Sequence, residues 1–163
     1  MIAIAGGRIG RGRGEAILAE GKKLAVRLGV EILLMNADLV FGKDHVESAI
    51  EHADRAFKRG TNVATSKMME VMLYASGERQ LSTAIKKLGL KKGTTRVVLV
   101  VSDSRRVDEV LRDLKISRDD SVLEGRAEKL RAFGLSQKAL GSVAKGMVLD
   151  LVLERVAFVD TLK

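Results

Sequence analysis

Apolar residues recur along this chain in two rhythms. Residues 95–102, TRVVLVVS, hold five apolar residues without a break, the pattern of a strand covered on both faces. VEILLMNA at 30–37 predicts a second buried strand, and IAIA at 2–5 a short third one. The rest follows the helical period. Residues 15–28 place Ala16, Ile17, Leu24, Ala25 and Leu28 inward and stop at Gly29. Asp44, with Glu47 completing a capping box, opens a helix to about Arg59. Its buried face is Val46, Ala49, Ile50, Ala53 and Phe57; Glu51 with Arg55 and Asp54 with Lys58 form i, i+4 pairs on the wet face. Over 62–89, two short helices meet at Ser76-Gly77, the first with the stripe Met68, Met69, Met72, Leu73, the second with Leu81, Ile85, Leu88. Gly77 is the natural stop, since a left-handed C-cap costs glycine nothing.

Further on, Lys91-Lys92-Gly93 makes a turn, Ser104 caps a helix to about Leu114, and Ser121 with Glu124 opens another through Phe133. Residues 136–145 are small and polar. A last helix over 147–159 carries Met147, Val148, Leu151, Val152, Val156 and Val159. That face is apolar enough to require cover: it packs on the sheet or docks on another protein. The elements predict a mixed α/β fold, a small buried sheet packed against a layer of helices, in a single domain over 1–163.

Composition narrows the chemistry. The 163 residues contain no cysteine, which removes thiol nucleophiles, disulfides and thiolate metal sites together. Aromatics make up 3%, so the core is aliphatic. No apolar run approaches the ~18 residues of a membrane span, and the basic residues of the N-terminal stretch follow its apolar run, the reverse of a signal peptide. The expectation is a cytoplasmic protein without membrane contact. Net charge is +8, unevenly spread: from Arg55 to Lys92 there are nine Lys or Arg against Glu70 and Glu78, a local excess of +7. Such a cluster attracts polyanions through phosphate contacts and counterion release; a merely charged, heat-adapted coat is the competing reading.

Catalytic patterns are absent. GGRIGRGRG at 6–14 follows a strand, yet no register fits the dinucleotide fingerprint and no Gly-Lys-Ser/Thr follows; a mobile basic loop, with Arg8, Arg11 and Arg13 free to touch phosphate, is expected. His45 and His52 stand about two turns apart on one helix, too far to share a metal, and are expected at the surface or as caps. Glu70 sits among methionines, and a half-buried carboxylate needs a partner, which Arg79 or Arg59 would supply. No catalytic residue, metal site or cofactor is assigned, and the inventory points to a binding module rather than an enzyme. Arg79 and Gln80, just past the Gly77 bend, are long hydrogen-bonding side chains at a corner over an apolar floor, suited to a nucleotide or a partner's backbone.

The run FGKDHVESAIEHADRAFKRGTNVATSKMMEVMLYASGERQLSTAIKKLGL (41–90), followed by the strand at 95–102, resembles the small CGI-type subunit of the KEOPS complex, the CGI/TPRKB family, in its archaeal form. The resemblance implies a non-catalytic subunit of the complex that makes threonylcarbamoyladenosine (t6A) on tRNA. It implies direct binding to the kinase/ATPase subunit, indirect association with the transferase and dimerisation subunits, and recruitment of tRNA through its single-stranded CCA end. Within the matching segment, Asn62, Ser66, Ser76, Gly77, Arg79 and Gln80 are expected on the nucleotides and Lys58, Arg59 and Lys67 on phosphates. Stacking would fall to Tyr74, an arginine plane or a methionine shelf. The apolar face of the last helix, with Met147, Leu151, Val152 and Arg155, is the candidate kinase contact. Two rivals remain: a nucleotide-dependent enzyme using the glycine-rich N-terminal stretch, and a stand-alone RNA-binding protein.

Overall fold

The computed structural model describes residues 1–126, 129 and 148–163. The fold is mixed α/β. Its elements are β1 (Ala3–Arg8), α1 (Gly14–Leu28), β2 (Ile32–Asn36), α2 (Lys43–Arg59), α3 (Lys67–Ser76), α4 (Leu81–Leu88), β3 (Arg96–Val101), α5 (Val107–Asp113), β4 (Ser117–Arg118) and α6 (Val148–Leu162). Short 3-10 turns occupy Ala37–Leu39, Ser104–Arg106 and Asp120–Leu123. The chain forms two compact units, one of residues 1–38 and 89–123, the other of residues 39–88 and 124–163.

The first is a sheet unit. Its strands run β2-β3-β1-β4, each neighbouring pair antiparallel. The continuous apolar run of β3 is matched by its burial: it is one of the two inner strands, and Val97 to Val101 are all fully buried. On one face Val97, Leu99 and Val101 join Ala5 of β1, Ile17 and Leu24 of α1, Val110 and Leu111 of α5, and Leu114 just after it, in one aliphatic cluster. α1 therefore buries Ile17, Gly21 and Leu24 while Ala16, expected inward, is exposed.

The glycine-rich stretch is not the mobile loop its composition suggests. Gly6 and Gly7 lie inside β1, paired with Val98 and Val97 of β3, and both are buried. A side chain has no room there: a Cβ on Gly6 would stand 2.6 Å from Val122 Cγ2 and 2.7 Å from the Asp119 carbonyl oxygen. The glycines let the Asp120–Leu123 turn lie flat on the sheet, and so the stretch presents no phosphate-cradling loop at those positions.

The second unit is helical. α2 packs on α3, α3 on α4, and α6 on both α2 and α3. Three capping readings are revised, one in this unit and two in the sheet unit. α2 begins at Lys43 behind Gly42, whose φ of 93° only glycine adopts freely, and no side chain caps it; Asp44 sits in the first turn instead. Ser121 lies in a 3-10 turn, not at the start of a longer helix. In the sheet unit the cap near 104 is Asp103, which accepts from Arg105 N. The expected helix through Phe133, the small polar stretch 136–145 and Met147 lie outside the described residues.

Candidate functional site

α2 and α3 run antiparallel. His45, in the first turn of α2, bonds the carbonyl oxygen of Ala75 near the end of α3 at 2.8 Å, while Asp54, late in α2, pairs with Lys67 at the start of α3. The candidate residues therefore divide into two groups separated by the length of α3, about 15 Å for ten residues at 1.5 Å each. At one end stand Lys58, Arg59, Asn62, Ser66 and Lys67; at the other, Ser76, Gly77, Arg79 and Gln80.

In the first group, Lys58 and Arg59 are exposed in the last turn of α2. Asn62 donates to the Ala64 carbonyl oxygen at 2.9 Å, and Ser66 caps α3 by accepting from Met69 N at 3.2 Å. Lys67 is committed to Asp54 rather than free for a ligand, and it takes the acid that i, i+4 spacing assigned to Lys58. The connecting loop is held from below. Glu70 is fully buried; its Oε2 accepts from the amides of Val63 (3.0 Å) and Ala64 (2.7 Å). Its Oε1 pairs with Lys163, so neither Arg79 nor Arg59 is its partner. Lys163 also donates to the Thr61 carbonyl oxygen at 3.3 Å. One carboxylate and one ammonium thus order a loop that leaves Val63 half exposed at its crest.

The second group is a tight corner. Gly77 takes the left-handed conformation (φ 71°) and ends α3. Ser76 is buried, its hydroxyl donating to the Leu73 carbonyl oxygen at 2.8 Å and accepting from Glu78 N at 3.2 Å; it builds the corner and has no free face. Lys87 of α4 donates to the Ser76 carbonyl oxygen at 2.8 Å, placing a cation at the negative end of α3. Burial, with the nearby Arg155 charge, lowers the Lys87 pKa against the opposing pull of Glu78. Arg79 and Gln80 follow, both exposed. α6 passes close by: a Cβ on Gly77 would lie 3.8 Å from Arg155 Cβ. Beside this approach is an open hollow of about 300 Å³ lined by Leu151, Glu154, Arg155 and Phe158.

Tyr74 cannot stack a base. It is fully buried, its ring stacked on His52 with centroids 5.2 Å apart, and its hydroxyl donates to Asp160. Burial, followed by the hydrogen bond and charge of Asp160, pushes the phenol pKa far up. Lys163 donates to the same hydroxyl at 2.8 Å, and Asp160 also holds His52 at 3.0 Å. His45 is buried too, not at the surface. Its Nδ1 accepts from Phe41 N at 2.9 Å, so Nε2 carries the proton and donates to Ala75. Desolvation by burial drives its pKa down to about 4. Of the α6 residues, Val152 is fully buried along with Val156 and Val159; that valine stripe is the unit's own core. Leu151 is half-buried, and Arg155 and Phe158 are exposed.

The family described as "Kinase binding protein CGI-121" matches residues 16–159. The chain belongs to the CGI-121 family. The match is wider than the motifs at 41–90, reaching from α1 into α6 and leaving only β1 and the turn after it on the N-terminal side. A curated CGI-121 relative, "Regulatory protein Cgi121" of Methanocaldococcus jannaschii, is 35% identical over 136 residues, 83% of this chain and 88% of the relative. Among the described residues no cluster of three or more metal-ligating side chains occurs, and no helix is long and apolar enough to cross a membrane.

Proposed function

We propose that the chain is a non-catalytic regulatory subunit of the cytoplasmic KEOPS tRNA-modification complex. It binds the kinase/ATPase subunit and, through its helical unit, the single-stranded CCA end of tRNA. The transferase and dimerisation subunits are reached only through the kinase. Membership of a family described as kinase-binding supports the first part.

The observation that carries the second part is the corner itself. Arg79 and Gln80 project into solvent directly after the Gly77 bend, and among the described residues no acid pairs with Arg79, Lys58 or Arg59. A splayed RNA end is read by hydrogen bonds to base edges, by stacking on apolar or guanidinium planes, and by cations on phosphates. With Tyr74 enclosed and Met68 and Met72 buried, stacking falls to the exposed Arg79 guanidinium, and at the far end of α3 the half-exposed Val63 offers an apolar surface. Arg79→Glu is expected to weaken tRNA binding more than tenfold without lowering the melting temperature. Comparing tRNA with and without its CCA end isolates the mechanism, and equal affinity for the two removes it. The kinase contact falls on the outward face of α6, at Leu151, Arg155 and Phe158, rather than on its valine stripe.

A further inference from the structure

We infer that the sheet unit carries a second RNA contact, a phosphate-binding ledge formed by Arg11, Lys91 and Lys92. The inference rests on the tRNA reading above and extends it to the part of the molecule that reading leaves idle. Two turns distant in sequence are locked together here. Gly12 N donates to the Lys92 carbonyl oxygen at 3.1 Å, and Ile9 N to that of Thr95 at 2.8 Å. Within the second turn, Lys91 N donates to Thr94 Oγ1 at 2.8 Å. The first residue of α1 presses on it, since a Cβ on Gly14 would meet the Lys91 carbonyl oxygen at 2.9 Å. Three long cations thus project from a braced platform.

Their charge is uncompensated. Arg8, Arg13 and Arg96 are spent on Asp119, Glu20 and Asp38, whereas Arg11, Lys91 and Lys92 are exposed and pair with no acid among the described residues. Neither residues 8–14 nor residues 89–96 include an acid. The surroundings choose the ligand. A protein partner would want an apolar, aromatic-rich centre with few lysines, but none of the large exposed apolar side chains lies in either turn. Glycines at 10, 12 and 93 raise no wall around the cations; an added Cβ at Gly12 or Gly93 would meet nothing within 4 Å. Cations on an open glycine floor, with no aromatic ring in either turn to stack a base, suit the sugar-phosphate backbone read without sequence preference.

The test compares the full-length protein with its Arg11→Gln/Lys91→Gln/Lys92→Gln variant. The probes are an intact tRNA and a short single-stranded RNA ending in CCA, each titrated across a salt series. Loss of about three phosphate contacts lowers the slope of log K against log salt by about two for tRNA, with an affinity loss of roughly tenfold at low salt. The short RNA binds the variant as before, and the melting temperature holds because all three side chains are exposed. Unchanged tRNA affinity and slope overturn the ledge, as does an equal loss for the short RNA, which would mark general attraction. Loss of kinase co-purification with tRNA binding intact would mark a protein surface and also overturn it. Arg79→Glu, run in parallel, separates the failures: if it weakens tRNA and the triple variant does not, only the ledge falls. If neither does, the end-gripping reading falls first.

Discussion

The two compact units bury different things. The sheet unit closes on aliphatic side chains, and its buried polar residues, Asn36 and Thr94, are neutral. Its shifted carboxyls are only partly covered: Asp119, held near 2 by Ser121 and Arg8, and Asp103, held near 2 by Arg105. The helical unit hides His45, Glu70, Tyr74, Ser76 and Lys129 among alanines and methionines. Four of them tie down a turn or loop, Glu70 the 61–64 loop, Ser76 the Gly77 corner, His45 the entry to α2, Lys129 the Val40 carbonyl oxygen, and Tyr74 ties α3 to Asp160 of α6. Burial of paired polar groups costs desolvation and returns a specific local geometry. The unit that spends it is the one whose loops and corner carry the candidate RNA residues. The contrast makes the helical unit sensitive to loss of a charge and to acid, and the sheet unit sensitive mainly to shape.

The largest effect is expected at Glu70. Glu70→Ala strands two amides and leaves Lys163 without its buried counter-charge, a loss of about 3–5 kcal/mol by analogy with broken buried ion pairs. Denaturant unfolding measures it, and amide exchange adds a local readout: Val63 and Ala64 lose protection before α3 does. A loss below about 1 kcal/mol would mean that the loop is held by something other than this carboxylate.

His45 comes next, and pH is its lever. The unfolded imidazole takes up a proton below about 6.5, but the buried one refuses it until about pH 4. The stability it confers is therefore full above pH 6.5 and declines as pH falls toward 4, by about 3 kcal/mol for a shift of this size. His45→Ala is expected to cost about 2–4 kcal/mol at pH 7, through the stranded Phe41 amide and Ala75 carbonyl and the cavity left. The gap between variant and parent should shrink steadily from pH 6.5 to pH 4.5 in urea titrations. A gap independent of pH would show that His45 titrates normally.

Neither group was legible as such in the sequence, and the reason is the same for both. Periodicity reports where apolar faces lie, so it gave β3, the extent of α2 and the Gly77 stop, all local in origin. It has no access to which distant backbone atom a buried polar side chain meets. Glu70 among methionines advertised a half-buried carboxylate in need of a partner, but that partner, Lys163, lies 93 positions away. His45 looked like a cap because it stands at a helix start, and nothing local announces that Ala75 will cover it. Tyr74 was the natural stacking residue in a chain so poor in aromatics, and that scarcity says nothing about which face of α3 it occupies. The valine stripe of α6 was read as needing cover, which it does, and it finds that cover within its own unit against α2 and α3.

In the sheet unit the corresponding probe is steric. Gly6→Ala forces a methyl into Val122 and the Asp119 carbonyl oxygen, an overpacking penalty of about 1–3 kcal/mol. Because the clash is with a methyl group and backbone atoms, that loss should be the same at pH 7 and pH 5, opposite in behaviour to His45→Ala. A pH-dependent loss would erase the distinction drawn between the two units.

The smallest expected change in stability is the most pointed about function. Phe158 is 52% exposed on α6, beside the hollow it lines with Leu151, Glu154 and Arg155, whereas Val152 on the same helix is fully enclosed. Phe158→Asp should leave stability within about 0.5 kcal/mol, as surface changes do, while Val152→Asp buries an unpaired carboxylate and unfolds the unit. If the outward face of α6 is the kinase contact, Phe158→Asp abolishes co-purification with the kinase subunit while the folded protein keeps its affinity for the RNA end. Co-purification that survives in Phe158→Asp moves the kinase contact off this helix. Loss of RNA binding in the same variant would instead make the hollow beside Gly77 part of the RNA site, since a Cβ at that glycine would lie 3.8 Å from Arg155 Cβ.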